Sequence, residues 1–345
     1  MAIVGGLDIH RKQLTFDYLD QASGQVVCGR IVPADREHLS EWLQRFAGVD
    51  RVCFAVEACT GWRYVAECLQ AAGVEVLLAE PADTAAARGR KKRAKTDRAD
   101  SRLLRELAEG GRVPQCWIPP QQVLEYRALL ELYHDLRREH TAWVQRIHAV
   151  CFHQGTEHLG TGGLGTEAGR DRLRRLAATQ LSPAGRVQID TGLQMLDTLE
   201  THLAGIHRRL QAAGRHLRGA KVLTDRLYGV GPVTALALVC WLGGAGRFSS
   251  SRKAVRFAGL DVTVYSSDGK RSPGRLSRQG PPVLRWCLYE AGKTHARTSA
   301  PDHAYYTAVK DRAGGKRAAI SEARKIVRQA CHILTDLGDD AFTPA

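Results

Sequence analysis

Val52-Cys53-Phe54-Ala55-Val56-Glu57 is an unbroken apolar run closed by a carboxylate. Without polar alternation it suits a short strand covered on both faces, as in the middle of an α/β sheet. On its N-terminal side, 35–47 repeats apolar residues at helical spacing (Leu39, Trp42, Leu43, Phe46) and stops at Gly48. Before that helix, 2–8, 13–19 and 25–32 are rich in apolar and β-branched residues and predict three strands, the first two joined by a short turn at 9–12. On the C-terminal side, 61–72 predicts a helix and 74–78 another strand. A basic segment follows, then a helix from Asp97 to about Leu107 with Thr96 as its cap.

Strand, strand, strand, helix, strand, helix, strand is the order of a ribonuclease H-like α/β sheet. Asp8 then closes the first strand and Glu57 the fourth, at the carboxyl edge where open α/β sheets place ligands. Asp97 and Asp100, three positions apart, share one face of the following helix. Four carboxylates at one point repel one another unless cations lie between them. Their convergence therefore predicts two divalent ions about 4 Å apart, able to clamp a phosphodiester. Taken singly, Asp8 is also a turn former, Glu57 a surface charge, and the acid pair a favourable first helical turn.

From Arg88 to Arg98 the chain carries seven cations (Arg88, Arg90, Lys91, Lys92, Arg93, Lys95, Arg98) against one acid. Such a run attracts a polyanion or, more plainly, forms a solvated basic loop. The whole chain points the same way, with 50 Lys and Arg against 36 Asp and Glu and a net charge of +14. No window approaches the roughly 18–20 apolar residues of a membrane span, so no membrane partner is expected. The first eight residues lack a basic leader, and the nine cysteines form no Cys-x-x-Cys pair. A cytoplasmic, nucleoid-associated protein with reduced thiols is the expectation.

Past Pro119-Pro120 the pattern becomes helical. A long helix is predicted over 121–151, a glycine-rich loop over 155–169, and a second long helix over 186–217. The second carries a heptad seam (Leu196, Leu199, Leu203, Ile206, Leu210, Ala213, Leu217), for a coiled coil formed within the chain or between copies. Next, Gly229-Val230-Gly231-Pro232 ahead of an apolar helix suits a helix-hairpin-helix whose amides hold DNA phosphates, or an ordinary helical turn. A short helix is expected over 247–259, and helices over 283–296 and 316–337. Between them, 261–280 is polar and turn-rich, placing serines among Lys270, Arg271, Arg275 and Arg278. A hydroxyl nucleophile among cations would fit phosphoryl chemistry, although any surface loop uses these residues.

Together these segments resemble the DEDD transposases of bacterial insertion sequences, serine-dependent recombinases guided by a bridge RNA. The resemblance rests on Gly6-Leu7-Asp8, Glu57-Ala58-Cys59-Thr60-Gly61, Lys95-Thr96-Asp97-Arg98-Ala99-Asp100, the Gly229 hairpin, Phe257-Ala258-Gly259-Leu260, Tyr265-Ser266-Ser267 and Gly274-Arg275-Leu276-Ser277-Arg278. It implies a RuvC-like domain over 1–118 using Asp8, Glu57, Asp97 and Asp100 on Mg²⁺ or Mn²⁺. A coiled-coil region over 119–220 and a mostly helical transposase domain over 221–345 would follow. It further implies that Ser267 attacks DNA and forms a covalent intermediate. The acids and the serine would come from different subunits of a dimer or tetramer, and a structured non-coding RNA would pair with donor and target DNA. Asp268 stands where the family has glycine, so Ser266 is a second candidate nucleophile, and Ser101 replaces a usual alanine. Two other readings fit the same residues: a RuvC-type junction nuclease using water, and a non-catalytic nucleic-acid-binding scaffold.

Overall fold

The computed structural model describes residues 2–88, 96–156, 163–263, 265–267, 270–272 and 274–345, with only the main chain over 265–267 and 270–272. Two compact units divide the chain, Met1–Ile118 and Pro119–Ala345.

The N-terminal unit is built on a mixed five-stranded sheet in the order β3-β2-β1-β4-β5. These strands are β1 (Ala2–Ile9), β2 (Leu14–Asp20), β3 (Gln25–Ile31), β4 (Arg51–Glu57) and β5 (Glu75–Ala79). β1, β2 and β3 run antiparallel by hairpins, whereas β4 and β5 lie parallel to β1 after helical crossovers. On one face, α1 (Arg36–Leu43) and α2 (Trp62–Ala71) cover a core that includes Leu7, Leu14, Leu39, Phe54 and Leu69. Trp42 and Phe46 pack edge-on against each other and against Tyr18 in this core. On the other face, Leu104 and Leu107 of α4 (Asp97–Glu109) meet Ala55, Ala79 and Val113. A short α3 (Pro81–Ala87), not expected from the sequence, begins where the Glu80 carboxylate accepts from the Asp83 amide at 2.6 Å.

Two adjacent glycines set the thickness of this sandwich. A Cβ on Gly5 would lie 2.2 Å from the Phe54 ring. On Gly6 it would lie 2.2 Å from the Ser101 carbonyl oxygen, so α4 rides directly on the β1 backbone. The contact is reinforced by a buried ion pair, Arg105 Nε to Asp17 Oδ1 at 2.5 Å, which ties α4 to β2.

Among the described residues the C-terminal unit is mainly helical, with a two-stranded ribbon. Its long helices, α5 (Gln121–His153) and α7 (Pro183–His216), pack within the chain. Contacts step in opposite directions along them: Tyr133 stacks on His207 at 5.7 Å, His140 Nε2 reaches Glu200 Oε1 at 3.0 Å, and Ile147 fills the space over Gly192. The pair is an antiparallel hairpin, and Leu196, Leu199 and Leu210 of the heptad seam are buried. The expected loop over 155–169 is corrected at its last three residues, where α6 (Glu167–Gln180) begins at the Thr166 cap. Glycine content hid this helix, yet Leu173 and Ala177 pack on Ile147, Ile189 and Leu193. Gly169 is needed there, since a Cβ would lie 1.7 Å from the Gly163 carbonyl oxygen.

Beyond them come α8 (Arg218–Arg226), the glycine turn, and α9 (Pro232–Leu242). Every residue from Ala235 to Leu242 is buried, making α9 the central helix. Of the helices that follow, α11 (Pro282–Lys293) and α13 (Gly315–Leu337) pack on it, and α10 (Ser251–Phe257) and α12 (His303–Ala313) pack on α13. Strands β6 (Tyr265–Ser267) and β7 (Lys270–Ser272) pair antiparallel. Among the described residues no helix is long and apolar enough to cross a membrane.

Candidate active site

The parallel register pairs Leu7 with Val56, so Asp8 and Glu57 follow abreast at the carboxyl edge of the sheet. Asp97 and Asp100 arrive on the first turn of α4, whose start is fixed by the Thr96 hydroxyl accepting from the Ala99 amide at 3.2 Å. Because Gly6 seats α4 on β1, that turn is carried to the end of the same strand.

Asp8, Asp97 and His10 form the tight centre, with one ligand atom from each within 4.8 Å of the others. His10 Nε2 stands 3.1 Å from Asp8 Oδ2 and 3.2 Å from Asp97 Oδ1. Gln13 Nε2 donates to Asp97 Oδ2 at 2.8 Å. Asp8 Oδ2 is buried without a hydrogen bond of good geometry. Burial pushes the Asp8 carboxyl up to about 6, His10 pulls it down, and Asp100, Asp97 and Glu57 push it up. All three other acids therefore lie within electrostatic reach of Asp8, although Glu57 and Asp100 stand outside the tight centre. Asp100 is held instead by Arg88, whose Nη2 lies 2.9 Å from its Oδ1. Arg88, read from the sequence as a nucleic-acid contact, is thus ion-paired beside the acids.

His10, Gln13 and the Asp17–Arg105 anchor were not singled out from the sequence. A signal for His10 was present, since Asp8 and His10 alternate at a strand end and project to one side. Of the basic run, Arg90, Lys91, Lys92, Arg93 and Lys95 lie outside the described residues.

In the C-terminal unit, Gly229 adopts the left-handed φ of +76° and a Cβ there would lie 2.1 Å from Thr294 Oγ1. Gly231 is the N-cap of α9, and both glycines line an open cleft of about 650 Å³ with Arg226 and Arg297. Ser267 ends β6, opposite Lys270 on β7, with Ser266 opposite Arg271. Side chains of Tyr265, Ser266, Ser267, Lys270 and Arg271 lie outside the described residues. At the root of the ribbon Val262 bridges Leu276, and the Thr263 amide donates to the Arg275 carbonyl at 2.8 Å. Arg275 and Arg278 line a second cleft, of about 1050 Å³, with Arg312, Arg317 and Arg324.

Residues 5–151 match a family described as a transposase of the DEDD type, and residues 223–307 match the transposase IS116/IS110/IS902 family. A Pseudomonas aeruginosa protein named "Probable family 20 transposase" is 27% identical over 71% of this chain and 72% of its own length. A Coxiella burnetii protein named "Transposase for insertion sequence element IS1111A" is 21% identical over 86% of this chain and 81% of its own length. With 5–151 matched across the acidic residues and 223–307 across the glycine turn and the serine ribbon, the chain belongs to the IS116/IS110/IS902 family of DEDD transposases.

Proposed function

We propose that this transposase is the RNA-guided recombinase of an insertion sequence, cutting and rejoining DNA with a RuvC-like acidic site and a serine nucleophile. The observation that carries the reading is the gathering of Asp8 and Asp97 around His10, with Glu57 and Asp100 in electrostatic reach.

The donor set fits a hard divalent cation: a buried carboxylate oxygen without a hydrogen bond faces further acids at one sheet edge. Asp8, Glu57, Asp97 and Asp100 would hold Mg²⁺ or Mn²⁺, which when bound would offset the negative charge of the phosphoryl group. His10 and Gln13 orient Asp97, and Arg88 holds Asp100 beside the site. Ser267 Oγ would form a bond to phosphorus while the phosphorus–oxygen bond to the deoxyribose breaks. The serine proton passes to the departing hydroxyl, and attack by an incoming DNA hydroxyl reverses the step. Arg275 and Arg278, with Lys270, Arg271 and the glycine turn, would neutralise the strand. A structured RNA would choose donor and target by base pairing, and a dimer or tetramer would bring acids and serine together from different copies.

Ser267→Ala is expected to abolish the covalent protein–DNA adduct and strand transfer, and Asp97→Asn to abolish both while leaving RNA binding intact. Continued cutting by Ser267→Ala would replace this reading with a water-using nuclease. Unchanged strand transfer by Asp97→Asn would remove the acidic site from the chemistry.

A further inference from the structure

Among the described residues a second cluster gathers metal-binding side chains, in the C-terminal unit and independent of the acidic site. His295 lies in the turn after α11, Asp302 caps α12, and Glu322 sits midway along α13. One ligand atom from each lies within 4.8 Å of the others. Glu322 is 0% exposed and His295 only 3%. Neither carboxylate oxygen of Glu322 and neither ring nitrogen of His295 has a hydrogen-bond partner. The nearest approach, His295 Nδ1 to Glu322 Oε2, is 3.7 Å, too long for a hydrogen bond.

Buried polar groups left in this state are costly unless something satisfies them. Lys325 supplies part of the answer. Its Nζ stands 3.5 Å from Asp302 Oδ1 and 3.7 Å from Glu322 Oε1, which marks where positive charge belongs. Both distances exceed hydrogen-bond length, and in the same position the ammonium already lies 3.6 Å from the Tyr305 ring centroid, so the ring face shares it with the two carboxylates. An imidazole nitrogen with two carboxylates is a borderline donor set, suited to Zn²⁺ better than to Mg²⁺.

We propose that His295, Asp302 and Glu322 hold a Zn²⁺-class ion, with Lys325 remaining over Tyr305. The ion would join three elements under the glycine turn. Tyr228 packs edge-on against His295 at 5.3 Å, and the next residue, Gly229, rests on Thr294. Its role would be to brace that turn.

The test uses the full-length chain with Asp8→Asn and Asp97→Asn, which silences the acidic site. After incubation with Zn²⁺ and desalting, this protein should retain a stoichiometric ion, and with Co²⁺ it should show the visible bands of a site containing nitrogen ligands. Adding Glu322→Gln, nearly isosteric, should abolish retention, and adding Lys325→Met should tighten it by about tenfold or more, since a competing charge is gone. Absence of retained Zn²⁺ and of Co²⁺ bands would overturn the proposal. So would equal retention by the Glu322→Gln protein, or unchanged affinity with Lys325→Met, an arm that keeps all three ligands should Glu322→Gln fail to fold.

Discussion

Arg105 shows how far the placement of the acids depends on residues outside their cluster. Its guanidinium meets Asp17, 1% exposed, and extends to Glu109 at 3.1 Å, so a helix bearing two acids is bolted to the sheet by a buried charge pair. Breaking one side of such a pair leaves an uncompensated charge, at about 3–5 kcal/mol. Arg105→Met should lower the urea midpoint accordingly, and adding Asp17→Asn should restore most of it. This anchor was invisible in the sequence because its partners lie 88 positions apart and neither belongs to a motif. The positions of the four acids at strand ends and a helix start were legible for the opposite reason. Asp8 and Glu57 end apolar strands, and Asp97 and Asp100 open a capped helix, so each had a local pattern to announce it. His10 had only its alternation with Asp8.

At the scale of elements, the decisive contact is α4 on β1. Gly6→Val would drive a side chain into the Ser101 carbonyl and the Arg105 amide, both main-chain atoms that cannot step aside. Overpacking of this kind typically costs about 1–3 kcal/mol. The displaced helix would also move Asp97 and Asp100 away from Asp8. Thermal denaturation should show the modest loss, and strand transfer should fall much further than stability explains. The strands and amphipathic helices of the N-terminal unit could be read from apolar spacing, since each buries one stripe or one run. α6 could not, because the glycines before it and Gly169 in its first turn mimic a loop, whereas Gly169 serves close packing. Nor could the heptad seam alone say whether its partner was α5 or another copy.

For the molecule as a whole, a net charge of +14 was the plainest sign of a nucleic-acid substrate, and membership of a transposase family agrees with it. What composition could not reveal is that arginines distant in sequence, Arg275, Arg278, Arg312, Arg317 and Arg324, line one cleft. Each compact unit keeps its own core, with Asp97 in the first and Ser267 in the second. Partitioning of this kind makes genetic complementation feasible. Chains crippled by Asp97→Asn and chains crippled by Ser267→Ala, each inert by itself, should regain part of their strand transfer when mixed, because a hybrid assembly can draw an intact half from each parent. A mixture as inert as its components would mean that every copy has to supply both halves for itself.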